Sequence, residues 1–363
     1  MVRLCAVWDR RYKSRLTLPK SSKPRSPVTM RDVARAAGVS RMTVSRALRE
    51  NSPISSETRE RILQLVRDMN YVPDQMAGSL TTKRSGFVAV LVPSLNNLHF
   101  AETVQALTEE LEKIGQQILL GYTDYSVERE EKLVESMMRR RPEAIVLSYD
   151  GHSDRTIQLL GEANVPVIEL WERPDNPIGH TIGFSNCEAA AEMTHGLIQR
   201  GYRNIAFLGE ADDAWTRGAA RRRGFSQAMQ AAGLSAHRIL QLGKPPLSIQ
   251  DGAVATPELL RRYPDVDCIF CVSDVPAFGV LSALTGLNKS VPDDIGVAGF
   301  GNFEVSRFSN PSITTVIVDP KRIGQATGTL LSDLFSEAYA ANAAPRTVAV
   351  KAELSFRGST KSG

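Results

Sequence analysis

From Gly86 onward the chain carries short apolar runs that do not alternate with polar residues. They are FVAVLV at 87–92, QQILLGY at 116–122, AIVLS at 144–148 and VPVIEL at 165–170, then NIAFLG at 204–209, CIFCV at 268–272 and GVAGF at 296–300. A strand with one wet face alternates, whereas a run that is apolar throughout is buried on both faces. Helical stretches such as 100–114 and 126–140 separate the runs. Strand and helix in repetition give a parallel sheet covered by helices on both sides. Two such series predict two open α/β lobes. Ligands enter such sheets at the carboxyl ends of the strands, so the cleft between the lobes is the expected site.

The loops at those strand ends should therefore carry the ligand groups. Ser94, Asn97 and Phe100 follow the first run, and Ser148 and Tyr149 follow the third. Trp171 follows VPVIEL, with Glu169 and Glu172 nearby, and Asn186 follows HTIGF. The loop EADDAWTRGAARRRGF after NIAFLG holds Trp215, Arg217 and Arg221. Ser273 and Asp274 follow CIFCV, and Gly301 and Asn302 follow GVAGF. Arg222 and Arg223 read as a solvated helix face. Arginine pairs bidentately with carboxylate or phosphate, so a cleft rich in it favours an anionic ligand.

Residues 28–49, VTMRDVARAAGVSRMTVSRALR, follow another rule. Thr29 precedes a helical segment with Asp32 in its first turn, which suits the positive end of a helix. Val33, Ala34 and Ala37 make its apolar stripe, Gly38 allows a tight turn, and Ser40 caps a second helix. On that helix Val44, Ala47 and Leu48 share one side. Met42, Arg46 and Arg49 centre on the other, with Arg41 and Ser45 at its margin. A third helix follows, capped by Ser55, with Ile62, Leu65, Val66 and Met69 as its stripe. This is a helix-turn-helix pattern, which places its second helix in the major groove of DNA. Arginine reads guanine or grips phosphate, Ser40 and Thr43 can bind phosphate oxygens, and Thr29 is counted with them among the DNA contacts.

Composition narrows the choice of function. The net charge of 363 residues is only +4, yet residues 1–27 hold Arg3, Arg10, Arg11, Lys13, Arg15, Lys20, Lys23 and Arg25 against Asp9 alone. That arm reads as a solvated, disordered tail or an upstream extension rather than as a phosphate contact. No run suits a membrane span or a signal peptide, so a cytoplasmic protein is expected. Cys268 and Cys271 have C-x-x-C spacing but lie in an apolar strand, where residues three apart face opposite sides. No metal is expected, and no cofactor. There is no dinucleotide-binding glycine pattern, no phosphate loop and no nucleophile elbow, and His99, His152, His180, His195 and His237 are scattered. An enzyme is therefore not expected, although an acid–base pair among Glu169, Glu172 and Asp274 is the alternative to weigh.

The segments TMRDVARAAGVSRMTVSRAL and PISSETRERILQLVRDMNYVPD resemble the headpiece of the LacI/GalR family of bacterial repressors, and the resemblance continues through all but about the first 27 residues. It implies a periplasmic-binding-protein-like core whose chain crosses between lobes three times, expected near 184, 298–303 and 316–319. It also implies a homodimer on a near-palindromic operator. Residues 74–85 would form a hinge, with Leu80 in the position of a leucine wedged into the minor groove. This chain departs from the family there, with Asp74-Gln75 and Gly78. A glycine costs a helix about 1 kcal/mol relative to alanine. Arg221 matches the family arginine that holds ligand hydroxyls, while Gly301 stands where sugar-binding members usually carry Asp. The patterns PSL.N..FAE, VIEL and GF.N.EAA.EMT look closest to the gluconate-repressor branch.

The expected fold class is α plus α/β. An arm at 1–27 precedes a three-helix headpiece at 28–73 and a hinge at 74–85. A two-lobed effector-binding and dimerisation core follows at 86–363, with lobe 1 at about 86–184 plus 319–345 and lobe 2 at about 185–316. The expected function is an effector-controlled transcriptional regulator, repressor by type, answering to a sugar acid such as gluconate or a ketogluconate. The alternatives are a neutral-sugar effector, a sugar-modifying enzyme, and an architectural DNA-binding protein with an inert core.

Overall fold

The computed structural model describes residues 28–48, 52–72, 85–148, 151–211, 216–336 and 344–362. The chain divides into two compact units, Met1–Thr82 and Lys83–Gly363. In the first, α1 (Met30–Ala37), α2 (Arg41–Ala47) and α3 (Ser56–Asp68) enclose a small core. Val33, Ala34 and Ala37 pack with Val44, Ala47, Ile62 and Tyr71. Gly38 has a φ of 64°, a left-handed conformation in which a Cβ is strained. Ser40 Oγ accepts the Thr43 N–H at 3.1 Å, and Ser55 Oγ accepts that of Thr58 at 3.4 Å. In the expected stripe of α3 only Ile62 is fully buried. Leu65, Val66 and Met69 are half-buried at its rim, since three short helices cannot enclose a larger core.

In the second unit, lobe 1 holds β1 (Phe87–Val92), β2 (Gln117–Tyr122), β3 (Ile145–Ser148), β4 (Val167–Leu170) and β5 (His180–Gly183), joined by β11 (Thr347–Ala349). The order is β11-β5-β4-β3-β1-β2, and every pairing is parallel. Side chains of β1 alternate between two cores. Val88, Val90 and Val92 join Leu107 and Leu111 of α4 (Leu98–Glu112) and Leu330 and Leu331 of α12 (Pro320–Ser336). Ala89 and Leu91 join Val134 and Met137 of α5 (Val127–Met138) and Leu160 of α6 (Asp154–Gly161). This is the two-sided burial that the apolar runs require. QQILLGY is an exception: β2 is an edge strand, and Leu120 and Tyr122 are 41% and 39% exposed.

Lobe 2 holds β6 (Ile205–Glu210), β7 (Ile239–Leu242), β8 (Cys268–Cys271) and β9 (Gly296–Ala298), parallel in the order β7-β6-β8-β9. Here α7 (Asn186–Gln199) packs on α8 (Arg217–Ala231), and α9 (Ile249–Arg262) packs on α10 (Asp274–Gly286). Cys268 and Cys271 are fully buried in β8, and burial pushes both thiols up. Among the described residues no group of His, Cys, Asp and Glu is arranged to hold a metal.

The chain crosses between lobes after β5, again between β10 (Thr315–Ile317) and α12, and a third time between β11 and β12 (Glu353–Ser355). The crossing expected near 298–303 is displaced to about 350–353. Gly299 and Gly301 donate their N–H groups to Thr314 and Val316 at 2.8 Å each, which keeps 298–317, with α11 (Glu304–Phe308), beside β9. β12 then returns antiparallel to β10.

Candidate functional site

On the headpiece, α2 turns Val44 and Ala47 inward and presents Arg41, Met42 and Arg46 to solvent, Met42 at 64% exposure. Thr43 and Ser45 are half-buried beside them. Two of the expected DNA contacts are already engaged in capping. The Thr29 hydroxyl and N–H donate to Asp32 Oδ2 at 2.6 and 3.0 Å, and these bonds hold the Asp32 carboxyl below the usual range. The Ser40 hydroxyl caps Thr43 and shares a 2.9 Å hydrogen bond with the Thr43 hydroxyl. Arg49 and Leu80 lie outside the described residues.

Between the lobes lies a cavity of about 300 Å³, within the range of small-molecule sites. Lobe 1 lines it with Asn96, Asn97, His99 and Phe100 around the start of α4, with Tyr125 after β2 and with Trp171 after β4. Lobe 2 contributes Glu210 at the end of β6 and Thr216, Arg217 and Arg221 at the start of α8. Pro245 to Ser248, Ser273 after β8 and Phe300, Gly301 and Phe303 after β9 complete it. Each group sits at the carboxyl end of a strand or at the helix start that follows.

Of the residues expected here, Asn97, Phe100, Trp171, Arg217, Arg221 and Ser273 line the cavity. Ser94, Ser148, Asn186, Asp274 and Asn302 do not, and several of them brace those that do. Asn186 is fully buried: its Nδ2 donates to the Trp171 carbonyl at 2.8 Å and to Glu172 Oε2 at 3.0 Å, while its Oδ1 accepts Arg221 Nε at 2.9 Å. Asp274 is also fully buried and accepts the Thr315 hydroxyl at 2.6 Å and the Phe303 N–H at 2.8 Å. Burial pushes its carboxyl up to about 6. Asn302 Oδ1 accepts Arg357 Nη2 at 2.6 Å. The Ser94 hydroxyl accepts the Asn96 N–H at 3.2 Å, and Ser148 is buried at the end of β3. Trp215 lies outside the described residues.

The electrostatics of the cavity are set by two guanidiniums and one carboxylate. Arg221 Nη1 donates to the Val272 carbonyl at 2.7 Å, and its Cζ lies 3.8 Å from the centre of the Phe300 ring. Arg217 is 8% exposed, with Cζ 4.8 Å from the Phe100 ring centre. Glu210 faces them from the end of β6. His99 is pushed down to about 3 by burial and then by Arg221 and Arg217, so its ring is neutral at physiological pH. His99, Phe303, Tyr125, Glu210 and Ser248 escaped the sequence reading. Glu210 is the last residue of its strand and His99 directly precedes Phe100, so the strand-end rule reached within a residue of both.

The acids weighed as a hidden acid–base pair stand behind this wall. Glu172 is held by Asn186, and burial raises its carboxyl. Glu169, on β4, accepts the Ile178 N–H at 2.7 Å and approaches His152 Nε2 at 3.6 Å. His152 Nδ1 lies 2.6 Å from Glu130 Oε1 on α5. Burial alone would keep this histidine neutral, but the two carboxylates prevail and raise it to about 9.

Comparison with known proteins agrees with both units. Residues 29–74 match the family described as bacterial regulatory proteins, lacI family, and residues 194–360 match the periplasmic binding protein-like domain. The HTH-type transcriptional regulator GntR of Escherichia coli is 32% identical over 302 residues, covering 83% of this chain and 90% of that protein. The regulator IdnR of Escherichia coli is 32% identical over 305 residues, covering 84% and 91%. The crystal structure of a LacI family transcriptional regulator from Silicibacter pomeroyi is 57% identical, covers 77% of this chain and 100% of that one, and superposes with a TM-score of 0.73. These relatives are regulators rather than enzymes, and this chain belongs to the LacI family of DNA-binding transcriptional regulators.

Proposed function

We propose that this regulator is switched by an anionic sugar acid, of the gluconate or ketogluconate class, bound between the two lobes. The observation that carries this reading is the pair Arg217 and Arg221 on the wall of the cavity between the lobes. Low local dielectric strengthens their attraction for a carboxylate. Glu210 supplies an acceptor for hydroxyls, which suits a polyhydroxy acid better than a bare carboxylate. The resemblance to the gluconate-repressor branch and the relatives GntR and IdnR support the same class. No described helix is long and apolar enough to cross a membrane, and a role on operator DNA is consistent with a cytoplasmic protein.

In this reading the headpiece at 28–73 binds a near-palindromic operator as a homodimer. Arg41, Met42, Ser45, Arg46 and Arg49 face the groove, Ser40 and Thr43 stand near phosphates, Thr29 lies with them at the DNA surface, and Leu80 lies in the minor groove. The ligand contacts both lobes through Asn97, Phe100, Trp171, Arg217, Arg221 and Ser273, so it biases the angle between them. The coupling is reciprocal: an acid that weakens operator binding is itself held less tightly by the DNA complex. The test is a mobility shift on operator DNA with a panel of sugar acids, neutral sugars and purines, with calorimetry on the same panel. Response to a sugar acid alone is the expected result. A response only to a neutral sugar or a purine would overturn the sugar-acid reading, and operator affinity insensitive to all of them would indicate an inert core.

A further inference from the structure

His99 is the second residue of α4, where Asn97 Oδ1 accepts its backbone N–H at 3.0 Å. Its ring stacks on Phe303 of lobe 2, with centroids 3.9 Å apart and planes 25° apart, and on Trp171 of lobe 1 at 5.8 Å and 16°. Stacking fixes the plane of the ring and leaves its polar chemistry at the edge. A neutral imidazole that donates from one nitrogen carries a lone pair on the other. Room for the ring depends on Gly301: a Cβ there would stand 2.8 Å from His99 Cε1 and 2.7 Å from Phe303 Cε2.

Three donor side chains line the cavity with this ring. Arg217 and Arg221 are cationic, and Trp171 Nε1 is buried without a hydrogen-bond partner. A carboxylate or carbonyl satisfies donors but offers nothing to a lone pair. A hydroxyl satisfies both. We propose that His99 is a specificity-determining residue, whose acceptor nitrogen takes a hydrogen bond from a hydroxyl of the bound acid, so that the cleft prefers a polyhydroxy acid to its keto analogue. This inference rests on the sugar-acid reading above and narrows it.

The test is calorimetry of the full chain with D-gluconate, 2-keto-D-gluconate and 5-keto-D-gluconate. Gluconate should bind at least about tenfold more tightly than one of the keto acids, because a site built to bond a hydroxyl penalises the analogue that lacks it. His99→Phe keeps a stacking ring and removes the nitrogens. It should weaken gluconate about tenfold, leave the disfavoured keto acid within about threefold, and so abolish the preference. Gly301→Ala, which crowds the ring while keeping it, should lower the same ratio. Equal affinity of the native chain for all three acids would overturn the proposal while leaving the sugar-acid reading intact. Equal weakening of all three by His99→Phe would likewise reduce His99 to a packing role. Binding of none of them would remove both readings together.

Discussion

The outer face of α2 and the walls of the cleft are the two surfaces proposed for recognition, and they are made in opposite ways. Arg41, Met42, Thr43, Ser45 and Arg46 lie within six consecutive residues, the first two and Arg46 facing water and the others half-buried, on a helix held by a local cap. The cavity takes its groups from strand ends and helix starts far apart in the sequence, buries or half-buries most of them, and braces Trp171 and Arg221 through Asn186, which does not line it. A duplex has a fixed shape, so an exposed helix can be lowered onto it. A small molecule must be surrounded, and its contacts must be desolvated and aimed from several directions. The same chemical change should therefore cost more in the cleft, where a severed partner is less readily replaced by water.

Four substitutions would break or sharpen this contrast. The largest effect is expected for Arg221→Ala, which removes a charge held by Asn186 and Val272. The guanidinium lines the cavity and is the proposed partner of the ligand carboxylate, so calorimetry should show the effector response abolished while operator binding persists. Failure to bind operator would mean that Arg221 supports the fold instead. Next is His152→Gln, which tests the buried charges behind the wall. The pKa of His152 is raised in the fold, to about 9 from 6.5. Its stabilisation is therefore complete below pH 6.5 and is lost as pH rises through about 9, a difference on the order of 3 kcal/mol. Urea unfolding at pH 6 and pH 10 should show a large penalty for the variant at the lower pH and little at the higher. A pH-independent penalty would show that the charge contributes nothing.

On the headpiece, Arg46→Ala should cost about 1–3 kcal/mol of operator affinity if the side chain reads a base, with effector affinity unchanged. Equal loss on random DNA in a mobility shift would assign it to phosphate. Smallest is Ser40→Ala, which removes the cap of α2 and should cost the helix about 1 kcal/mol. Hydrogen exchange should show faster opening confined to α2 amides, and slowed exchange or protection loss elsewhere would contradict a purely local cap.

The same contrast explains what could be read from residues alone. The turn at Gly38, the caps and the wheel of α2 are set by neighbours a few positions apart, and they appear in the structure as written. The apolar runs located β1, β3, β4, β6 and β8. Composition does not reveal whether a strand has a neighbour on each side, so QQILLGY was assigned two buried faces although β2 is an edge. β10, β11 and β12 have three residues each and no strand was assigned to them from the sequence, and the displaced crossing follows from missing them. In the cleft, position at a strand end was legible but direction was not. Asn186 and Asp274 sit at such ends and turn inward because each meets several buried partners.

The three crossings have a mechanical consequence. Two bodies joined by one strand can tumble about it, whereas two joined by three neighbouring strands keep few easy relative motions, chiefly opening and closing across the cleft. Asn186, just past the first crossing, hydrogen-bonds a carbonyl of one lobe and a guanidinium of the other, which further limits twist. What a bound molecule can report to the rest of the chain is then close to a single coordinate, the degree of closure. Chemically different ligands would be told apart by how far they close the lobes, and not by the direction in which they push.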